Sequence, residues 1–419
     1  QKRILWAEAD EHVREIEAHL RESHAVKQLE AAGSYRRRKD TVGDLDFLVV
    51  SPSPEKVMDQ FGRYSGVAEA LARGGTKMSV RLSTGLQVDL RIVPEESFGA
   101  ALQYFTGSKE HNIVLRNRAK AKGLKINEYG VFRGEQMIAG RTEEEVYGAL
   151  DLPCFPPELR EARQEFHWAD AGQLPELVLL DDIRGDLHLH TTWTDGLDTL
   201  EDMAAAAKQR GWQYIAVTDH SRRVTMANGL DPARLRQQWA EIDQLTKRLK
   251  GITVLKGIEV DILERGGLDL PDDVLAEADW VVASVHYGQN QTKEQITRRV
   301  IDALRNPYVS AIAHPTGRML LRREPYQIDL EAVIKVAAEE GKMLELNAHP
   351  MRLDLDDLAC AMAKSLGVKV VIATDAHVAS GFEAMRYGVQ QARRGGLTKD
   401  DVANTRSWPQ LKKLLGHRR

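Results

Sequence analysis

The stretch Asp186-Leu187-His188-Leu189-His190-Thr191 decides the reading of the larger part of this 419-residue chain. Leucine and histidine alternate with period two, so both imidazoles project from one face of a strand. Working outward, Ile183 opens a text in which short apolar runs alternate with helical periodicity, and strands are expected near Asp186, Tyr214, Val254, Val281, Ala311, Leu344 and Val370. Helical spacing follows most of them, as over 200–210 and 330–340. Seven such repeats predict a barrel-like α/β domain. Barrel sites form where strand C-termini meet the following loops, and His188, His190, Asp195, His220, Glu259, His286, His314, Asp375 and His377 all fall there. A lone histidine is more often a core or surface residue than a ligand, but recurrence at successive strand ends argues for one shared metal pocket. Nine such ligands suffice for about three ions if each takes three or four protein groups, and a mixed His/carboxylate set suits manganese, zinc or iron.

Upstream, helical spacing of Ile4, Leu5, Val13, Ile16 and Leu20 precedes a strand over 26–32, a turn-rich segment over 33–43 and a second strand over 45–50. A helix from about Pro54 then leads to a hairpin of 77–82 and 86–93, joined at Ser83-Thr84-Gly85. Residues 98–150 read as helical and then turn-rich over 127–140, with a basic series Arg116, Arg118, Lys120, Lys122 and Lys125. The proline-bearing segment 151–182 reads as a connector. Asp44 and Asp46 share one strand face, and Asp89 on another strand can bring a third carboxylate alongside, a set able to hold two magnesium or manganese ions for phosphoryl transfer. Alone, an Asp-x-Asp pair is more often a turn cap and a solvated strand residue. Here Gly33-Ser34-Tyr35-Arg36-Arg37 precedes it at a spacing suited to a backbone-and-hydroxyl cradle for a triphosphate.

The series Gly33-Ser34-Tyr35-Arg36-Arg37, Gly43-Asp44-Leu45-Asp46, Val88-Asp89-Leu90-Arg91, Tyr104-Phe105-Thr106-Gly107-Ser108 and Leu124-Lys125-Ile126-Asn127-Glu128-Tyr129 resembles the nucleotidyltransferase palm of the family X DNA polymerases. The resemblance implies that Asp44, Asp46 and Asp89 are the catalytic, ion-holding carboxylates. It also implies that Gly33, Ser34, Arg37 and Gly43 hold the triphosphate, that Tyr104, Phe105 and Gly107 line the sugar, and that Asn112 and Arg116 face the nascent base pair. Over about 183–400, the strings around the nine barrel ligands, such as Thr218-Asp219-His220-Ser221, Ala313-His314-Pro315 and Thr374-Asp375-Ala376-His377, resemble the polymerase-and-histidinol-phosphatase (PHP) superfamily. That implies a distorted seven-stranded barrel with three divalent ions: one on His188, His190, Glu259 and Asp375, one on Glu259, His286 and His314, and one on Asp195, His220 and His377. Asp219 and His349 match no ligand position and are expected to orient ligands or to pack, while Arg352 is expected either to contact substrate phosphate or to form a structural salt bridge.

The two resemblances combine in bacterial family X polymerases with a C-terminal PHP domain. They imply a repair enzyme that fills short gaps with dNTPs and removes or trims 3' ends of DNA by manganese-dependent hydrolysis. The implied domains are a palm over 1–96, a nucleotide- and DNA-contacting subdomain over 97–150, a linker over 151–182 and a PHP phosphoesterase over 183–419. The chain is expected to be a fragment, since it opens at Gln1 and carries no lyase or helix-hairpin-helix segment before the palm. Rival readings are a small-molecule phosphatase with a vestigial polymerase half and a non-catalytic DNA-end binder.

Composition bounds these readings. Hydrophobic residues make up 42% of the chain, enough to fill two or three cores. Two cysteines exclude a disulfide framework, and no apolar run approaches a membrane span or a signal peptide, so a cytoplasmic setting without membrane contact is expected. Composition leaves oligomeric state open; the expectation is a monomer. Net charge is −4; residues 1–150 hold 23 Lys/Arg against 22 Asp/Glu, which leaves −5 for the rest, so contact with DNA must rest on local basic patches.

Overall fold

The seven strands expected after Ile183 form one parallel sheet, each hydrogen-bonded to the next in chain order. In the computed structural model, which describes residues 2–416, they are Gly185–Asp186, Tyr214–Val217, Thr253–Asp261, Trp280–Ser284, Ala311–Ile312, Met343–Asn347 and Val370–Ala373. A bridge between Leu189 and Ala376, with Asp375 N–H donating to His188 O at 2.9 Å and His190 N–H to Ala376 O at 2.8 Å, brings the first and last strands together. The sheet is thus a nearly closed barrel. Its strands are buried on both faces, which explains near-continuous apolar runs such as Val281-Val282-Ala283. One face packs inside, where Tyr214, Leu255, Trp280, Val282, Ala311, Met343 and Val371 meet Leu411 of the C-terminal helix Trp408–Leu414. The other packs under the helices, including Leu200–Gln209, Lys293–Arg305 and Leu330–Glu340. Gly257 has no room for a side chain: a Cβ there would lie 2.7 Å from Val217 O.

Period two carries the interior face of Thr253–Asp261 from Leu255 through Gly257 to Glu259 and Asp261. In Trp280–Ser284 and Met343–Asn347 the same alternation likewise moves from apolar filling, Val282 and Met343, to polar side chains, Ser284, Glu345 and Asn347, near the C-terminal end. Site and core are therefore successive layers of one barrel.

By contact, the chain divides into two compact units, residues 1–175 and 176–419. The first unit is built on a five-stranded sheet in the order Gln28–Ala31, Asp44–Val50, Gln87–Ile92, Lys77–Leu82, Val67–Arg73. Asp44–Val50 and Gln87–Ile92 are parallel and the other pairs antiparallel. Helices Trp6–Arg21 and Pro54–Gly62 pack against each other, and Phe98–Thr106 and Lys109–Ala121 follow the sheet.

Several sequence expectations need correction. Ile4 and Leu5 are not in the first helix; they form a strand paired with Thr41–Val42, and the helix begins at Trp6. The segment 33–43 contains a one-turn helix, Gly33–Arg36. The edge strand Val67–Arg73 was not anticipated because its mostly exposed, alanine-bearing sequence lacks apolar alternation. Residues 125–139, read in part as turns, make a three-stranded antiparallel sheet with two-residue connections. The segment 151–182 is not a bare connector, since Phe155 and Phe166 are buried with Tyr147 and Leu115 in the core of the first unit. Among the described residues, no helix is long and apolar enough to cross a membrane.

Candidate active sites

In the first unit, parallel register places Asp46 directly beside Asp89 on the neighbouring strand, while Asp44 lies two residues from Asp46 on the same face. Asp44 is exposed and the other two are half-buried. Burial, and then the charges of Asp44 and Asp89, push the Asp46 carboxyl up to about 7. Partial neutralisation comes from Lys77, 3.9 Å from Asp89, and from Arg91. A concentration of carboxylates that raises its own pKa is a site that a hard divalent cation would relieve. Gly33, at φ +70°, stands against it: a Cβ there would lie 3.2 Å from Asp46 Oδ2.

Around these carboxylates, the side chains implied by the resemblance have definite partners. Arg37 donates to Glu161 Oε1 at 2.8 Å and to the Thr106 carbonyl at 2.6 Å, next to Gly107. Ser34 follows Gly33 in the one-turn helix, and Gly43 is buried just before Asp44. Tyr104 and Phe105 meet edge to face, with Arg91 over the Phe105 ring at 4.3 Å. Asn112 donates to Tyr104 O at 2.9 Å and accepts from Gln103, so its amide braces the end of the preceding helix. Arg116 is exposed one turn further along. Arg36 pairs with buried Glu143, which also holds buried Arg160, and these cations keep the Glu143 carboxyl at about 2 despite burial.

The barrel brings the other eight expected residues around Glu259, which is 1% exposed. Its Oε1 lies 2.9 Å from His188 Nε2, 3.3 Å from His190 Nε2 and 3.5 Å from His220 Nδ1. Its Oε2 lies 3.2 Å from His286 Nε2 and 3.4 Å from His314 Nε2. Asp375 reaches His190 at 2.9 Å and His188 at 3.3 Å, while Asp195 reaches His377 at 3.2 Å and His220 at 3.4 Å. Three groups have ligand atoms within 4.8 Å of one another: His188, His190, Glu259 and Asp375; His190, Asp195, His220 and His377; and His220, Glu259 and His286. His314 lies outside those groups, and His220 takes part in two of them. An open pocket of about 370 Å³ lies over them.

The electrostatics of the cluster suit cations. Burial opposes charge on its histidines, yet Asp375, Glu345 and Glu259 hold the His188 imidazole well above its usual range, and Asp375 and Glu259 raise His190 to about 10. Glu259 and Asp261 likewise raise His286 to about 9 against the same burial. His314 is driven the other way, to about 4, by burial and by Arg352. Buried Glu259 and Asp375 are held well below the carboxylate range by the imidazoles around them. An environment that favours positive charge at these imidazoles also favours divalent ions, and ligating ions would displace any protons held there. Nδ1 of His190, His220 and His314 has no hydrogen-bond partner although buried.

Three residues not singled out from sequence orient these ligands. Glu345 bonds His188 Nδ1 and accepts from His314 N–H, while Asp261 bonds His286 Nδ1 at 2.7 Å. Each leaves the opposite nitrogen aimed at Glu259. Asn347 donates to Asp375 Oδ2 at 3.1 Å. The signal was present: Asp261 is two residues beyond Glu259 on one strand, and Glu345 and Asn347 end Met343–Asn347, a strand from which no ligand had been drawn. Asp219 accepts from Thr191 N–H and Gln238, fixing the loop after His190. His349 Nδ1 accepts from Met351 N–H.

Comparison with known proteins follows the same division. The polymerase beta palm family matches residues 3–92, the polymerase beta thumb family residues 101–161, and the PHP domain family residues 186–349. The chain is 43% identical over 407 residues to the DNA polymerase/3'-5' exonuclease PolX of Bacillus subtilis (strain 168), covering 96% of this chain and 71% of that protein. A probable phosphatase of Thermoanaerobacter sp. (strain X514) is 32% identical over 231 residues, 52% of this chain and 89% of that one. A probable phosphatase of Acetivibrio thermocellus is 33% identical over 211 residues, covering 48% and 82%. With palm, thumb and PHP families matched in one order and a relative aligned along 96% of the chain, the chain belongs to the family X DNA polymerases that carry a PHP domain.

Proposed function

We propose that the chain fills gaps in DNA through its first unit and hydrolyses 3' ends through its barrel, with a palm over 1–96, a nucleotide- and DNA-contacting subdomain over 97–150 and a phosphoesterase over 183–419. The observation that carries this reading is that both sets of ionisable side chains are intact in one chain whose relative is named for both activities. Asp44, Asp46 and Asp89 are the carboxylates of nucleotidyl transfer. Gly33, Ser34, Gly43 and Arg37 take the triphosphate, Tyr104, Phe105 and Gly107 the sugar, and Asn112 and Arg116 the base pair. Arg37 and Asn112 must exchange present partners to do so.

In the barrel, His188, His190, Asp195, His220, Glu259, His286, His314, Asp375 and His377 hold three divalent ions, with manganese, zinc or iron suiting the donor set and magnesium or manganese suiting the palm. Such ions, when bound, neutralise developing charge on phosphoryl oxygens and acidify water. Glu345 and Asp261 keep His188 and His286 in fixed orientation, and the backbone carbonyl of Asp375 does the same for His377 at 2.8 Å. The partners are gapped or primer-template DNA and dNTPs, and the setting is a cytoplasmic monomer.

A gapped primer-template assayed with and without dNTPs, in magnesium and in manganese, tests the reading. Primer extension with dNTPs and 3' shortening without them are expected. Release of phosphate from small phosphomonoesters with neither DNA activity would instead favour a phosphatase.

A further inference from the structure

The pocket over the metal ligands has one wall of a different character. Val224, Met226 and Ala227 line it together with imidazoles and carboxylates, and Met226 is 96% exposed. Full exposure of a methionine is unfavourable to hydration, and a lax loop would let the side chain fold back. This loop is not lax. Ser221 and Leu230 form a bridge, Val224 N–H donates to Ser221 O, Gly229 N–H donates to Val224 O, and Arg234 donates to the carbonyls of Asn228, Gly229 and Trp193. Arg223 lies 3.8 Å over the Tyr287 ring, and its N–H donates to Asp269. Gly229 is obligatory: a Cβ there would lie 2.0 Å from Ser221 O. The backbone therefore fixes the point from which the Met226 side chain projects beside the pocket.

The geometry points to Met226 as a platform for the terminal nucleobase of a DNA 3' end, an inference that rests on the exonuclease reading above. A phosphodiester at the ions must place its nucleoside against a neighbouring wall. The flat, uncharged face of a base matches the polarizable thioether and its apolar neighbours, whereas the charged walls match the phosphate. Met226 is then a specificity-determining residue that separates nucleotide ends from base-free phosphate esters.

The test compares the full chain with Met226→Ala and Met226→Phe in manganese, on oligonucleotides ending in adenosine or in a base-free tetrahydrofuran residue. Met226→Ala is expected to lower kcat/KM about tenfold on the adenosine end, mainly through KM, in line with loss of one buried apolar contact. On the base-free end the change should be under about twofold, and Met226→Phe should restore the preference. Equal losses on both ends, or no loss on either, overturns the platform. A wild-type chain that shortens neither oligonucleotide overturns the exonuclease reading itself, and with it this inference.

Discussion

The palm carboxylates and the barrel cluster both suit divalent ions, yet they hold charge in opposite ways. In the palm, Asp44, Asp46 and Asp89 gather negative charge, and burial together with that charge lifts the Asp46 carboxyl to about 7. In the barrel, carboxylates alternate with imidazoles within 2.9 to 3.5 Å, and each side stabilises the other's charge. Among the described residues, only the barrel has three groups of donor atoms drawn to within 4.8 Å. The first arrangement suits ions that arrive with a charged substrate and leave with its product; the second suits ions that stay.

Removing a carboxylate should therefore act with opposite sign on the stability of the two units. Glu259→Gln is expected to lower 3' hydrolysis by about 10³-fold and to destabilise the cation-free barrel by about 3 kcal/mol, because buried cationic histidines lose their shared counter-charge. Calorimetric unfolding in EDTA measures the second effect; an unchanged or higher midpoint breaks the comparison. The next effect is in pH. His190 and His286 sit at about 10 and about 9 in the cation-free barrel against 6.5 in an unfolded chain. The stability their charges contribute is complete below pH 6.5 and is lost as pH rises through 9 to 10. The midpoint in EDTA should fall over that window, and a midpoint that rises across it contradicts the assignment. The smallest effect is in the palm: Asp46→Asn in EDTA at pH 8 should stabilise the first unit by about 1 kcal/mol, since a raised carboxyl costs stability once ionised. Destabilisation there would show that Asp46 has a compensating partner.

The same contrast explains how far the sequence was legible. Barrel strands buried on both faces write themselves as apolar runs, and ligands at strand ends stand out as polar interruptions such as Glu259 and His286. The palm motif Asp44-Leu45-Asp46 was equally visible because it opens a strand. Val67–Arg73 was not, since an exposed edge strand carries no core-facing alternation. Nor was the packing of Phe155 and Phe166, set among prolines and charges that mask a core contribution from so short a segment. Glu345 and Asp261 stand near strand C-termini as the ligands do, but the partners that give them their role, His188 and His286, belong to other strands, and strand-end position alone does not name them.

The independence of the two centres is most directly tested by exchanging single losses between them. On a gapped primer-template in manganese, Asp46→Ala is expected to abolish nucleotide incorporation and leave 3' shortening intact, while His190→Ala does the reverse. Loss of both activities in either variant, with its thermal unfolding unchanged, would contradict two separate active centres in one chain.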